Sequence, residues 1–128
     1  MKIIGIGVDL VENSRISKLV KKNSFLNRVF TKDEIAKSKK IKNVITYFAK
    51  RFAAKEAFSK SIGSGFRNDL NFKDISIVND KLGKPSFIIN KKVKKIIKKQ
   101  FKTSAFNFFL SLSDEKKYSI AYVILQKK

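Results

Sequence analysis

The chain has 128 residues, 43% hydrophobic and 12% aromatic, which is enough for one domain with a core (residues 1–128) and too little for two. Cys and His are both absent, excluding a disulfide framework, a thiolate zinc site and the usual general base, so any metal should be a hard cation such as Mg²⁺. Thirty Lys and Arg against ten Asp and Glu give a net charge of +20, which attracts acidic partners of any kind. The arginines are only Arg15, Arg28, Arg51 and Arg67. We attribute much of the lysine excess to an AT-rich genome, a hypothesis that the gene's codon usage would test.

Residues 2–11 alternate and are rich in Ile and Val, which predicts a strand ending near Asp9. Gly5 and Gly7 within it signal a bulge or a close backbone approach. The apolar run before Asp9 is too short for a signal-peptide core, and no run approaches the roughly 18 residues of a membrane helix. A soluble cytoplasmic protein with no membrane contact is the expectation. Ser14 is a candidate N-cap for a short helix to about Lys21, and Asn23 to Phe30 carries apolar residues at helical spacing. Thr31 followed by Glu34 reads as a capping box opening a third short helix to about Ser38.

The main helix is predicted from near Asn43 to Ile62. It carries Arg51-Phe52-Ala53-Ala54-Lys55-Glu56-Ala57-Phe58-Ser59-Lys60 and ends at Gly63-Ser64-Gly65. Glu56 is the only acidic residue between Glu34 and Asp69. The glycines after the helix read either as an ordinary C-cap or as a turn whose N–H groups face a phosphate. Beyond it, Asn68-Asp69 reads as a turn, Phe72–Val78 as a strand, Asn79–Pro85 as a hairpin turn and Ser86–Ile89 as the return strand. Val93, Ile96, Ile97 and Phe101 mark a helix with a lysine face. Ala105–Ser113 and Tyr118–Leu125 read as two last strands. Helices and strands segregate, which predicts an α+β fold with a mainly antiparallel sheet packed on a long central helix.

Two carboxylates carry the candidate chemistry. Asp9 ends an apolar strand and Glu56 faces inward on the central helix. Together they could hold one Mg²⁺ and leave positions open for phosphate oxygens, or each could simply pair with a lysine. Position alone leaves both readings open. Phe106, Phe108 and Phe109 in a basic chain also raise an RNA-binding reading. They sit in a core-like run with no RNA-recognition pattern around them, so nucleic acid is not favoured.

Five segments in order resemble the holo-[acyl-carrier-protein] synthase family of 4'-phosphopantetheinyl transferases. They are Gly5 to Glu12 with Arg15-Ile16; Phe30-Thr31 with Glu34; Arg51 to Lys60 with Gly63-Ser64-Gly65; Phe72 to Ile75 with Asp80, Gly83, Lys84 and Pro85; and Ser111-Leu112-Ser113 before Tyr118. The resemblance covers about Ile3 to Val123. It implies a phosphopantetheinyl transferase-like fold and an Mg²⁺-dependent transferase of fatty acid and lipid biosynthesis. Such enzymes move 4'-phosphopantetheine from coenzyme A to a serine of apo acyl carrier protein and release adenosine 3',5'-bisphosphate. It places the metal on Asp9 and Glu56, and catalysis on Glu56 and Lys60. Glu56 or a metal-bound water then takes the serine proton, and Lys60 acts electrostatically. It puts coenzyme A near Arg51, Lys55, Lys60, Gly63, Ser64, Gly65, Lys84 and Pro85, and the carrier protein on Arg15. It also implies a homotrimer with active sites between subunits. One departure stands out: the family commonly has a histidine where this chain has Asp114. The expected compensating cations are Lys116 and Lys117, or Lys39, Lys40 and Lys42 across an interface.

Overall fold

The structure is a computed structural model that describes every residue except Asn68, so part of the turn read at Asn68-Asp69 lies outside the described residues. Three antiparallel strands form a sheet in the order β1 (Lys2–Glu12), β5 (Tyr118–Lys127), β4 (Phe106–Asp114). A separate hairpin pairs β2 (Ile75–Asn79) with β3 (Pro85–Ile89). Three short helices, α1 (Asn13–Leu19), α2 (Asn23–Val29) and α3 (Lys32–Ser38), lead to α4 (Val44–Ile62), and α5 (Lys91–Phe101) precedes β4. This is the expected α+β arrangement.

The long helix α4 lies across β1 and β5. Asn43 caps its start, accepting from the Thr46 N–H at 3.3 Å, and Gly63 ends it at φ 92°. It is buried nearly all round because it is covered on both sides. The sheet packs on one side, and α1 to α3 with the hairpin pack on the other. One aromatic cluster links Phe25, Phe30, Phe48 and Phe52, and a second joins Phe58 to Phe87 and Phe108. Each large apolar side chain buried this way contributes about 1.5–3 kcal/mol.

Strand alternation decides what the sheet shows to either side. In β5, Ser119, Ala121, Val123 and Leu125 are fully buried against α4. On the outer face, Ile6 (59% exposed), Val8, Leu10, Phe109, Ile120 and Tyr122 make one apolar surface. Among the described residues no helix is long and apolar enough to cross a membrane.

Some boundaries differ from expectation. The first strand continues to Glu12 because Tyr118 pairs opposite it, which puts Asp9 inside the strand rather than at its end. Ser14 is not the N-cap of α1: Glu12 holds that position, and the Ser14 hydroxyl donates to the Glu12 carboxylate at 2.8 Å. Phe72–Asp74 is a single 3₁₀ turn, since Asp74 accepts from the Asn71 N–H at 2.9 Å and delays the strand to Ile75. The Thr31–Glu34 capping box forms as read.

Candidate active site

The two glycines of β1 bring strand and helix into backbone contact. A Cβ on Gly7 would lie 1.9 Å from the Ala57 carbonyl oxygen, and one on Gly5 would lie 1.9 Å from that of Ser61. Asp9, two residues after Gly7, points to the same side of the sheet, and Glu56 immediately precedes Ala57. Lys60 closes the group, its ammonium donating to the Asp9 carboxylate at 3.3 Å and to the Val8 carbonyl at 3.0 Å.

Both carboxylates are half-buried and their pKa values are pushed up. For Asp9 the cause is burial, opposed by Lys60 and by the Arg15 charge. For Glu56 it is burial and then the negative charge of Asp9, opposed by Lys60 and Arg15. Asp9, Arg15, Glu56 and Lys60 therefore form one electrostatic unit. Two partly desolvated carboxylates, the charge of Asp9 raising the proton affinity of Glu56, suit a divalent cation, which would relieve the repulsion with oxygen ligands alone. The donor set fits Mg²⁺.

The remaining predicted coenzyme residues divide. Gly63 and Gly65 both have positive φ, and both N–H groups donate to the Ser59 carbonyl, at 3.2 and 3.3 Å. The phosphate-facing reading of these amides is thus corrected: they satisfy the helix end. The Ser64 hydroxyl donates to the Gly65 carbonyl at 3.4 Å, and the turn leaves free space around Gly65.

Lys55, expected near the coenzyme, is buried and already paired. Its ammonium is fully buried and donates to Glu34 at 2.6 Å and to the Val29 carbonyl at 2.7 Å. The other Glu34 oxygen accepts from the Ile77 N–H at 3.0 Å, so one buried ion pair fastens α2, α3, α4 and β2 together. Burial pushes the Lys55 pKa down and Glu34 opposes it.

Arg51 lies elsewhere. Nine residues before Lys60 is two and a half turns, so the two project from opposite sides of α4. Its guanidinium sits 3.8 Å over the Tyr47 ring and donates to Asn79 at 2.7 Å, while its Nε is buried without a partner among the described residues. Asn79 in turn donates to the Gly83 carbonyl at 2.9 Å, which ties Arg51 to the hairpin tip carrying Lys84 and Pro85. Beside them opens a cavity of about 590 Å³, lined in part by Lys37, Lys40, Tyr47, Lys50 and Arg51. Lys50 is the cation that sequence reasoning missed. It pairs with Asp114 at 3.1 Å, where Lys116, Lys117, Lys39, Lys40 and Lys42 were expected. No local signal marks a contact between mid-helix and the end of β4.

A long helix packed on an antiparallel sheet, with two acids and a lysine where they meet, is an α+β architecture whose site suits chemistry on a phosphate-bearing substrate. A sequence model of the 4'-phosphopantetheinyl transferase superfamily matches residues 5–123. A holo-[acyl-carrier-protein] synthase of Pelagibacter ubique is 67% identical over 128 residues and all of both chains, and one of Ehrlichia chaffeensis is 44% identical over 96% of each. The crystal structure of the synthase from Neisseria meningitidis superposes with a TM-score of 0.88 at 38% identity, over 98% of this chain and 99% of that one. The Bacillus anthracis synthase, solved in complex with coenzyme A (3',5'-ADP), gives 0.83 at 33% identity over the whole of both chains. The chain belongs to the holo-[acyl-carrier-protein] synthase family of that superfamily and is a transferase.

Proposed function

We propose that this chain, as one domain, transfers 4'-phosphopantetheine from coenzyme A to a serine of apo acyl carrier protein, releasing adenosine 3',5'-bisphosphate. The observation that carries the reading is the Asp9–Lys60 contact beside Glu56, held where β1 and α4 touch. Asp9 and Glu56 would hold Mg²⁺, whose charge offsets the negative charge that builds on the pyrophosphate during transfer. Lys60 adds a second positive charge there and orients Asp9 through its hydrogen bond. The carrier serine oxygen bonds to the phosphorus of the phosphopantetheine group, and the bond from that phosphorus to the nucleotide breaks. Glu56 takes the serine proton.

The coenzyme's nucleotide end would take the cavity at Lys50, Arg51 and Asn79, which the Asn79–Gly83 hydrogen bond joins to the hairpin tip carrying Lys84 and Pro85. Because Arg51 and Lys60 lie on opposite sides of α4, a ligand touching both residue types needs two subunits. The apolar outer sheet face supports that assembly, since patches of this kind mark subunit contacts. A homotrimer with shared sites, working in the cytoplasm in lipid biosynthesis, follows from the same reading. Arg15, exposed at the mouth of the acid pair, is the docking residue for an acidic carrier. Phe106 and Phe108 pack against each other and Phe58, which disfavours the RNA reading, and Phe109, turned to the outer sheet face, lies in the surface assigned to assembly. Mass spectrometry of apo carrier protein incubated with the chain, coenzyme A and Mg²⁺ tests the reading. It should gain one phosphopantetheine per carrier, and an unmodified carrier would refute it.

A further inference from the structure

A second opening lies away from all these residues, between β3, α5 and β4. It is a groove of about 540 Å³, within the roughly 300–1,000 Å³ of small-molecule sites. Its floor is Phe87, Ile89, Phe106 and Phe108, all half-buried. That floor is preformed: Phe108 stacks on Phe58 at 4.3 Å, Phe87 meets Phe58 edge-on at 4.9 Å, and Phe106 meets Phe108 edge-on at 5.8 Å.

The rim is cationic. Lys94, Lys95 and Lys98 line it from α5, and no acidic residue does. All three are exposed, and none takes part in an ion pair among the described residues. Val93 and Ile97, fully buried on the other face of α5, keep the lysines over the groove. The groove meets β4 at Phe106 to Phe108, about 20–27 Å along the strand from Asp114 at an ordinary strand rise. It is therefore distinct from the cavity at Lys50 and Arg51.

An apolar cleft with uncompensated cations at its mouth selects for a molecule with an apolar chain and one anionic end. We propose that this groove binds a single-chain acyl anion, with the chain on the phenyl rings and the carboxylate among Lys94, Lys95 and Lys98. A recessed cleft suits one chain better than a flat bilayer surface.

Isothermal titration of the full chain with decanoate, below its micelle concentration, tests the proposal. Decyltrimethylammonium supplies the same chain with opposite charge, and phosphatidylglycerol vesicles and a single-stranded RNA supply the other anion sources. The expected result is saturable binding of one decanoate per chain, at least tenfold tighter than the cation. Amide shifts should concentrate in β3, α5 and β4. Replacing Lys94, Lys95 and Lys98 together by Ala, on an exposed face where folding is spared, should weaken decanoate at least tenfold. Lys32→Ala with Lys39→Ala should change it less than twofold. Equal binding of both charges, equal loss in both lysine variants, no saturable decanoate binding, or binding to vesicles or RNA alone would each overturn it.

Discussion

Gly7 stands where no side chain can: its missing Cβ would lie 1.9 Å from the carbonyl oxygen of Ala57 and 2.9 Å from the Ser61 nitrogen. Those atoms belong to helix backbone and cannot swing aside. Gly7→Ala should therefore push α4 off β1 and cost about 1–3 kcal/mol or more, with melting lowered by about 4 °C per kcal/mol. Because Asp9 and Glu56 flank the contact, turnover should fall further than the loss of folded protein explains. Thermal melts beside transfer rates at a temperature where the variant is folded check this. Unchanged turnover in the folded variant would show that the acid pair does not depend on the contact.

That relationship also marks how far the sequence could be read. Gly5 and Gly7 signal a close approach because they lack side chains, but nothing near them says that the partner is α4. The capping box at Thr31 and the helix stop at Gly63 depend on residues a few positions apart, so local chemistry suffices for both. Lys55 and Lys50 were illegible for the opposite reason. Among so many lysines, burial of one against Glu34 and pairing of another with Asp114 are tertiary facts. Phe109 misleads in the same way. It sits among core phenylalanines by sequence, yet strand alternation turns it to the outer face, where it is 49% exposed.

The acid pair should tax the metal-free fold. Both carboxyls have folded pKa values raised above the ordinary range near pH 4. The native state thus binds more protons than the unfolded chain. The associated stability is present below that range and is lost as pH rises through the folded values. Asp9→Asn removes the charge and should melt higher than the parent at pH 7 in chelator, with the gap closing below about pH 4. Added Mg²⁺ should raise the parent's melting temperature and leave the variant's unchanged. Transfer should be lost in the variant. An Mg²⁺ response equal in both proteins would remove Asp9 from the metal site.

Glu34 and Lys55 should behave as a fastening rather than as part of the coenzyme site. Glu34→Ala leaves the Lys55 ammonium and the Ile77 N–H buried without their partner, a loss of about 3–5 kcal/mol. Glu34→Gln and Lys55→Met should each be destabilising too, while the double variant carrying both should lose less than the sum of those two singles. At a temperature where Lys55→Met is folded, its Michaelis constant for coenzyme A should match the parent's. A large rise in that constant would return Lys55 to the site.

The outer sheet face should govern assembly. Tyr122 is 43% exposed and sits opposite Val8 in the pairing of β5 with β1, at the middle of the apolar surface. Light scattering of the parent should give about three times the 14.7 kDa subunit mass. Tyr122→Asp should give the single subunit with its helical content intact and transfer abolished. A monomeric variant of full activity would show that each subunit holds a whole site.

Arg15 can act in two ways that separate experimentally. Its guanidinium lies 5.9 Å from the centre of the Phe52 ring, and its charge lowers the proton affinity of both Asp9 and Glu56. As a docking residue its fork can hold a carboxylate of the carrier with two hydrogen bonds. Such a charged contact contributes about 1.5–3 kcal/mol. Arg15→Ala should then raise the Michaelis constant for carrier protein roughly tenfold to a hundredfold and leave that for coenzyme A unchanged. Lys99→Ala, on the exposed face of α5, controls for general steering by the net charge and should have little effect. The electrostatic role predicts a second change. Losing Arg15 raises the pKa of both acids, so the acidic limb of the pH profile of kcat should move to higher pH. If Arg15→Ala and Lys99→Ala shift the carrier constant equally and slightly, the docking contact does not exist. The movement of the acidic limb would then measure what Arg15 does to the acid pair alone.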